Sequence, residues 1–220
     1  MPITPHSLSG IASRIDQPFS LVSLGLVGDM GVHLFVAQGQ LNWHKHLDED
    51  ELFLVHEGAV QLETELGSAM LHPEEAMWVP KGVGHRSTAV LRSLVLLFRQ
   101  QVLPDRSNGH RNYLVTGGEP PLAKARLATL SGRAPYETAT AAMLSGFRLS
   151  VFTAADSGPA DTARPGGVMF YTMRGAVAVE LKSGGVRLEP GEVAILPAGT
   201  AYKLHAAQPA LIVKFEKEAA

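Results

Sequence analysis

Trp43-His44-Lys45-His46-Leu47-Asp48-Glu49-Asp50-Glu51-Leu52-Phe53-Leu54-Val55-His56-Glu57-Gly58 decides how the rest of this chain is read. His44 and His46 are one residue apart, and on a strand residues i and i+2 point to the same face. Glu51 adds a hard oxygen ligand, and the apolar run after it closes on Gly58. A further imidazole is supplied by His85, at the end of Val79-Pro80-Lys81-Gly82-Val83-Gly84-His85. Three imidazoles and one carboxylate suit a divalent first-row metal with positions left open for water or substrate. The bland alternative is a pair of surface histidines in a polar turn.

Outward from this stretch, apolar β-type runs alternate with glycine and proline, which total 22 and 14. Strands are expected at 19–26, 32–37, 51–55, 60–65, 76–79 and 93–99, then at 147–152, 168–173, 177–181, 193–196 and 210–215. Many short strands between turn residues indicate an all-β sandwich or barrel. A shift of 117 positions superposes the two sets. It lays Gly58-Ala59-Val60 on Gly175-Ala176-Val177, Leu71-His72-Pro73 on Leu188-Glu189-Pro190, and Gly82 on Gly199. The same offset pairs Phe35 with Phe152, Phe53 with Phe170 and Phe98 with Phe215. Two tandem copies of one β domain follow, each near 100 residues. Domain limits are expected at 1–100, 101–141 and 142–220. The middle segment is a connector, with turns at 105–109 and 117–121 and a short helix over 122–130.

The residues resemble the cupin superfamily. His44-Lys45-His46, Glu51 and Gly58 are similar to its first motif, and Pro80-Lys81-Gly82-Val83-Gly84-His85 to its second. Two departures stand out: Gly39 lies one residue nearer to His44 than is usual, and Glu74 replaces a glycine that the second copy keeps at Gly191. Only glycine readily takes positive φ, so the turn at Pro73–Glu75 is expected to change. The resemblance implies two jelly-roll β-barrels in one chain, a bicupin, with a metal held inside the first on His44, His46, Glu51 and His85. Asp50 is the rival of Glu51, and the six-residue gap to Gly58 favours Glu51. Alternation from Glu51 sends Phe53 and Val55 to the same face. In the second copy the four positions become Asp161, Ala163, Val168 and Tyr202, so that barrel is expected to hold no metal.

Composition removes several classes. There is no cysteine, which excludes disulfides and thiolate chemistry. The net charge is -2, with Lys and Arg scattered, so neither nucleic acid nor an anionic membrane is expected as partner. The first residues have neither a basic start nor an apolar core, and no apolar run approaches the roughly 20 residues of a membrane span. A soluble cytoplasmic protein is expected, as a homodimer by the resemblance. The acidic run Asp48-Glu49-Asp50 reads as a solvated loop, and His56 as outward-facing. His72, His110 and His205 read as ordinary histidines, and Trp43 and Trp78 as core or pocket wall. Arg86 reads as partner to a substrate carboxylate or to a neighbouring acid.

Two functions fit. One is an enzyme acting on a small oxygenated organic molecule at a single Fe, Mn, Ni or Zn ion, as a dioxygenase or as an isomerase or lyase working through an enediolate, with Glu51 as a base. The alternative is a non-catalytic module that binds a small molecule through its metal.

Overall fold

The computed structural model describes residues 3–101, 122–132 and 134–218. In chain order its elements are β1 (His6–Ser7), α1 (Leu8–Ala12), β2 (Val22–Val27), β3 (Met30–Gln40), β4 (Glu51–Glu57), β5 (Val60–Thr64), β6 (Gly67–Leu71), β7 (Glu75–Val79) and β8 (His85–Gln100). They continue as β9 (Lys124–Arg126), α2 (Leu127–Leu130), β10 (Ala139–Leu144), β11 (Phe147–Thr162), β12 (Val168–Arg174), β13 (Val177–Leu181), β14 (Val186–Leu188), β15 (Glu192–Leu196) and β16 (Ala201–Lys217). The fold is all-β, with two curled sheets of eight strands each. No helix among the described residues is long and apolar enough to cross a membrane. The turns expected at 105–109 and 117–121, and His110, lie outside the described residues.

The chain divides into two compact units, one of Ile15–Leu24 and Asp29–Ala125, the other of Met1–Arg14, Gly25–Gly28 and Arg126–Ala220. In the first unit the sheet runs β2-β3-β8-β4-β7-β9, with β5 joined to β6 and β8. β8 organises it. Its later half, Leu94–Arg99, pairs with β4, while its opening residues His85–Thr88 pair with β5. β3 follows β8 along both halves, with a register shift between Ala37 and Gly39. The two halves of β8 meet at Val90 and Leu91, which are 90% and 75% exposed. Ser93 secures the corner: its hydroxyl accepts from the amide of Ala59, and its one proton is shared between the carbonyls of Leu91 at 2.9 Å and Ala59 at 3.1 Å. Gly58, at φ 82, leaves the room this needs, because a Cβ there would run into the Ser93 hydroxyl. Phe35, Phe53, Val55, Val79, Val95 and Leu97 fill the interior.

The second unit repeats the plan as β1-β15-β12-β16-β11-β10, with β13 joined to β14 and β16. Phe152, Phe170, Leu196 and Ile212 occupy its interior. The edge strands differ from the expected limits. β1, which precedes the first repeat, lies in the second unit, where His6 pairs with Val193 and Ser7 with Glu192. β9, which precedes the second repeat, pairs with β7 in the sheet of the first unit. A two- or three-residue strand buries too little for its pattern to show. The helix expected over 122–130 is reduced to α2, because β9 takes Lys124–Arg126 into the sheet.

The turn at Glu74 keeps its shape without glycine. Glu74 sits at φ 68, as Gly191 sits at φ 80, and its amide donates to Val55 O as that of Gly191 does to Thr172 O. A side chain in the left-handed region costs about 1–2 kcal/mol, against ~0.5–1 kcal/mol of extra chain entropy for glycine. Glu74→Gly should therefore stabilise the protein by about 0.5 kcal/mol. Urea unfolding measures this, and a lower midpoint would refute the strain.

Next to it, the buried Glu75 accepts from Lys124 Nζ on β9 at 2.9 Å and from the His72 amide at 2.9 Å. Burial alone would raise its pKa, but these partners bring it from 4.5 down to about 2. A carboxylate whose pKa falls on folding adds stability that is fully present above its unfolded pKa and is lost as the pH drops through the folded one. Unfolding midpoints should fall between about pH 4.5 and 2, and Glu75→Gln should flatten that slope. An unchanged slope would show that other groups control acid unfolding.

Candidate metal centre

The segment before β4 is extended without being a full strand. Its backbone runs antiparallel to the start of β8: the His44 amide donates to His85 O at 3.0 Å, and the His85 amide returns a bond to His44 O at 2.8 Å. Two further bonds, Leu41 N to Ser87 O and Gly82 N to His46 O, extend the match on either side. This two-way bond places the imidazoles of His44 and His85 with ring centroids 4.4 Å apart, and His46 lies 5.2 Å from His44. Glu51 comes in at the first residue of β4, opposite Arg99 on β8. Ligand-type atoms of His44, His46, Glu51 and His85 all lie within 4.8 Å of one another, so the four expected residues are brought together. Among the described residues no second group of this kind occurs.

The hydrogen bonds of the rings show what the group can do. His44 Nδ1 is 2.9 Å from Asn42 O, and His85 Nδ1 is 3.0 Å from Val83 O. A carbonyl can only accept, so both Nδ1 atoms carry a proton, and in the neutral rings both Nε2 atoms present lone pairs. His46 follows the pattern with Nδ1 at 3.2 Å from the Glu49 carboxylate. The Nε2 atoms of His85 and His46 face the two Glu51 oxygens at 3.0 and 3.3 Å. Protons on these two nitrogens satisfy the contact with Glu51, and with neutral rings a cation between the nitrogens and the carboxylate would take their place. Imidazoles oriented by an outer acceptor are the usual arrangement around a bound metal. The donor set therefore fits a divalent cation.

The charges agree. Burial holds His44 below the usual imidazole range, and the neighbouring rings of His85 and His46 add to this. Burial would lower His46 too, but its hydrogen bond to Glu49 and the charge of Glu51 raise it. Glu51 is 3% exposed, yet His85, His46 and Arg99 outweigh burial and lower its pKa, so it is a carboxylate.

The neighbours of the four residues meet expectation in part. Glu49 is not solvated: it is 5% exposed and holds His46. Asp50 turns away and accepts from the Lys81 amide at 2.8 Å, so Glu51 is the carboxylate grouped with the three histidines. Arg86 meets the neighbouring acid: its Nε donates to Glu63 at 2.6 Å, with Trp43 5.4 Å from its guanidinium. Trp43 is half exposed, neither core nor pocket wall. His56 is partly buried, and burial lowers its pKa. Two residues were missed. His33 and Arg99 lie on the inward parity of β3 and β8, shared with Phe35 and Leu97, and that alternation was the available signal.

Beside the four residues is a cavity of about 150 Å³, lined mainly by Phe19, Leu21, Phe35, Leu41, Phe53 and Leu97, with Arg99 also on its wall. Phe53 faces the centre, 6.1 Å from the ring of His85.

No family model matches the chain. A cupin 2 conserved barrel domain protein from Leptotrichia buccalis superposes with a TM-score of 0.74 over 99% of this chain and 98% of its own, at 10% identity. YdbB of Bacillus subtilis, described as an uncharacterized protein, is 33% identical over 92 residues, 41% of this chain and 81% of YdbB. The chain belongs to one family with YdbB and carries the cupin fold. A second cupin-like structure, the salicylate 1,2-dioxygenase of Pseudaminobacter salicylatoxidans, has a TM-score of 0.74 over 98% of this chain and 84% of that one. At 12% identity that likeness is one of fold. YdbB is roughly half as long as this two-unit chain.

In the second unit the corresponding residues do different work. Tyr202 donates to Asp161 at 2.7 Å, and Lys214 Nζ lies 3.3 Å from Asp161 and 3.0 Å from Glu216. Ala163 and Val168 are buried and apolar.

Outer partners of metal-bound histidines typically contribute 10–100-fold in affinity. Glu49→Gln should weaken Mn(II) or Zn(II) binding by about that factor, while His44→Ala and His85→Ala should abolish stoichiometric binding. Titration with a competing chelator measures both. Unchanged affinity in Glu49→Gln would separate that residue from the centre.

Proposed function

We propose that the first barrel is a mononuclear metal site and that the protein is an enzyme acting there on a small oxygenated organic molecule. One observation carries this reading: three imidazoles, each anchored through Nδ1, gather around a buried carboxylate at the end of an apolar cavity, with His46 and His85 turning Nε2 onto it. His44, His46, Glu51 and His85 would hold the ion. A divalent metal there supplies Lewis acidity towards a carbonyl or enolate oxygen, and iron adds chemistry with O2.

The chain's own residues do the rest. Asn42 O, Glu49 and Val83 O fix the rings, so the site is preorganised. Phe19, Phe35 and Phe53 keep water from the substrate body. Glu51 is held below the ordinary carboxylate range, which suits a ligand better than a general base working near neutral pH. Oxygenation, and isomerisation or lysis through an enediolate, both fit this site. The second barrel would serve without metal, with the Lys214 ammonium fixed between Asp161 and Glu216. A small molecule is the expected partner, and a soluble homodimer the expected form.

The test is metal analysis of protein purified without a tag and without oxygen. O2 uptake and product formation are then followed against hydroxybenzoates, catechols, diketones and keto acids. About one ion per chain and turnover with one substrate class are expected. O2 consumption assigns the dioxygenase branch, and turnover without it assigns the isomerase or lyase branch. One bound ion without turnover would favour the binding module. Failure to take up any ion after reconstitution would overturn the site.

A further inference from the structure

Arg99 makes unusual use of a guanidinium. It projects from β8 into the wall of the cavity, opposite Glu51 in register. Its Nη1 lies 3.6 Å from Glu51 and 3.7 Å from Glu49, close enough for attraction but too far for a hydrogen bond. Its Nε is buried without an acceptor among the described residues. Buried donors in native proteins are nearly always satisfied, and each exception calls for an explanation. Arginine offers a planar fork that matches a carboxylate with two parallel bonds.

The balance of charge points the same way. Glu49 and Glu51 bring two negative charges to this end of the pocket, and Arg99 one positive charge. A divalent ion on the four residues would leave one positive charge uncompensated in a small, largely apolar space. A monoanion would complete it. Apart from the Ser87 hydroxyl, the rest of the lining is apolar and fixes the body of that anion, through Phe19, Leu21, Phe35, Leu41, Phe53 and Leu97. A cavity of 150 Å³ compares with an engineered apolar cavity that accepts one benzene ring.

We infer that the pocket of the first barrel takes a compact carboxylate of about one ring in size, and that Arg99 selects it by its charge. This rests on the metal site proposed above and adds what binds beside it. Arg99 is the specificity-determining residue. The four metal-holding residues fix where the reacting end lies, and the phenylalanines limit the size of the body.

The experiment uses the full-length protein reconstituted with Mn(II), with metal stoichiometry measured in parallel. Benzoate, its neutral counterpart benzamide and the larger 2-naphthoate are titrated by calorimetry into the wild type and Arg99→Gln. Benzoate should bind the wild type at least tenfold more tightly than benzamide or 2-naphthoate. Arg99→Gln should keep its Mn(II) and lose the preference for benzoate over benzamide. Equal binding of benzoate and benzamide by the Mn(II)-loaded wild type overturns the inference and leaves the metal site standing, a comparison that does not depend on the folding of any variant. A preference that persists in a folded Arg99→Gln also overturns it. Arg99-dependent benzoate binding by protein that takes no metal sustains the anion site and overturns the metal reading.

Discussion

The bend in β8 is the constraint on which the site depends. Arg99, the cross-strand partner of Glu51, lies fourteen positions after His85. A straight strand would hold those ends roughly 46 Å apart at about 3.3 Å per residue. The structure brings His85 Nε2 to 3.0 Å from Glu51 instead. The strand can do this because it changes partner midway, from β5 to β4, and because Ser93 ties the corner to the loop after Gly58. The glycine that ends the first motif and the histidine that ends the second are thus parts of one mechanical arrangement.

Much of this was legible in the chain. The ligand set lies in two short stretches of fixed spacing, and the constant offset of 117 carries the fold from one half to the other. What escaped notice has two physical causes. Glu49, in an acidic run, resembles a solvated loop, because the backbone bond between His44 and His85 that draws the segment inward is a long-range contact. Arg99 and His33 sit at inward positions of strands whose neighbours are apolar, where a charged or titratable residue reads as a strand end. The short strands β1, β9 and β14 bury too few residues for any alternation to appear.

The two units solve one electrostatic problem in two ways. The first gathers acceptors around a space that a cation would fill. The second places a lysine between Asp161 and Glu216, with Arg148 at 3.0 Å and Arg164 at 3.4 Å from the same glutamate. A covalently attached ammonium cannot be exchanged or lost, so the second arrangement holds its positive charge permanently in place.

The placement of β1 and β9 bears on how such a chain can be divided. Each sheet is finished by a strand whose sequence lies ahead of the other repeat. Scission near residue 101 would not yield two self-contained modules, since each fragment would carry away a border strand of its counterpart. Inheritance of one half without the other would leave an open sheet edge, a standing invitation to aggregate.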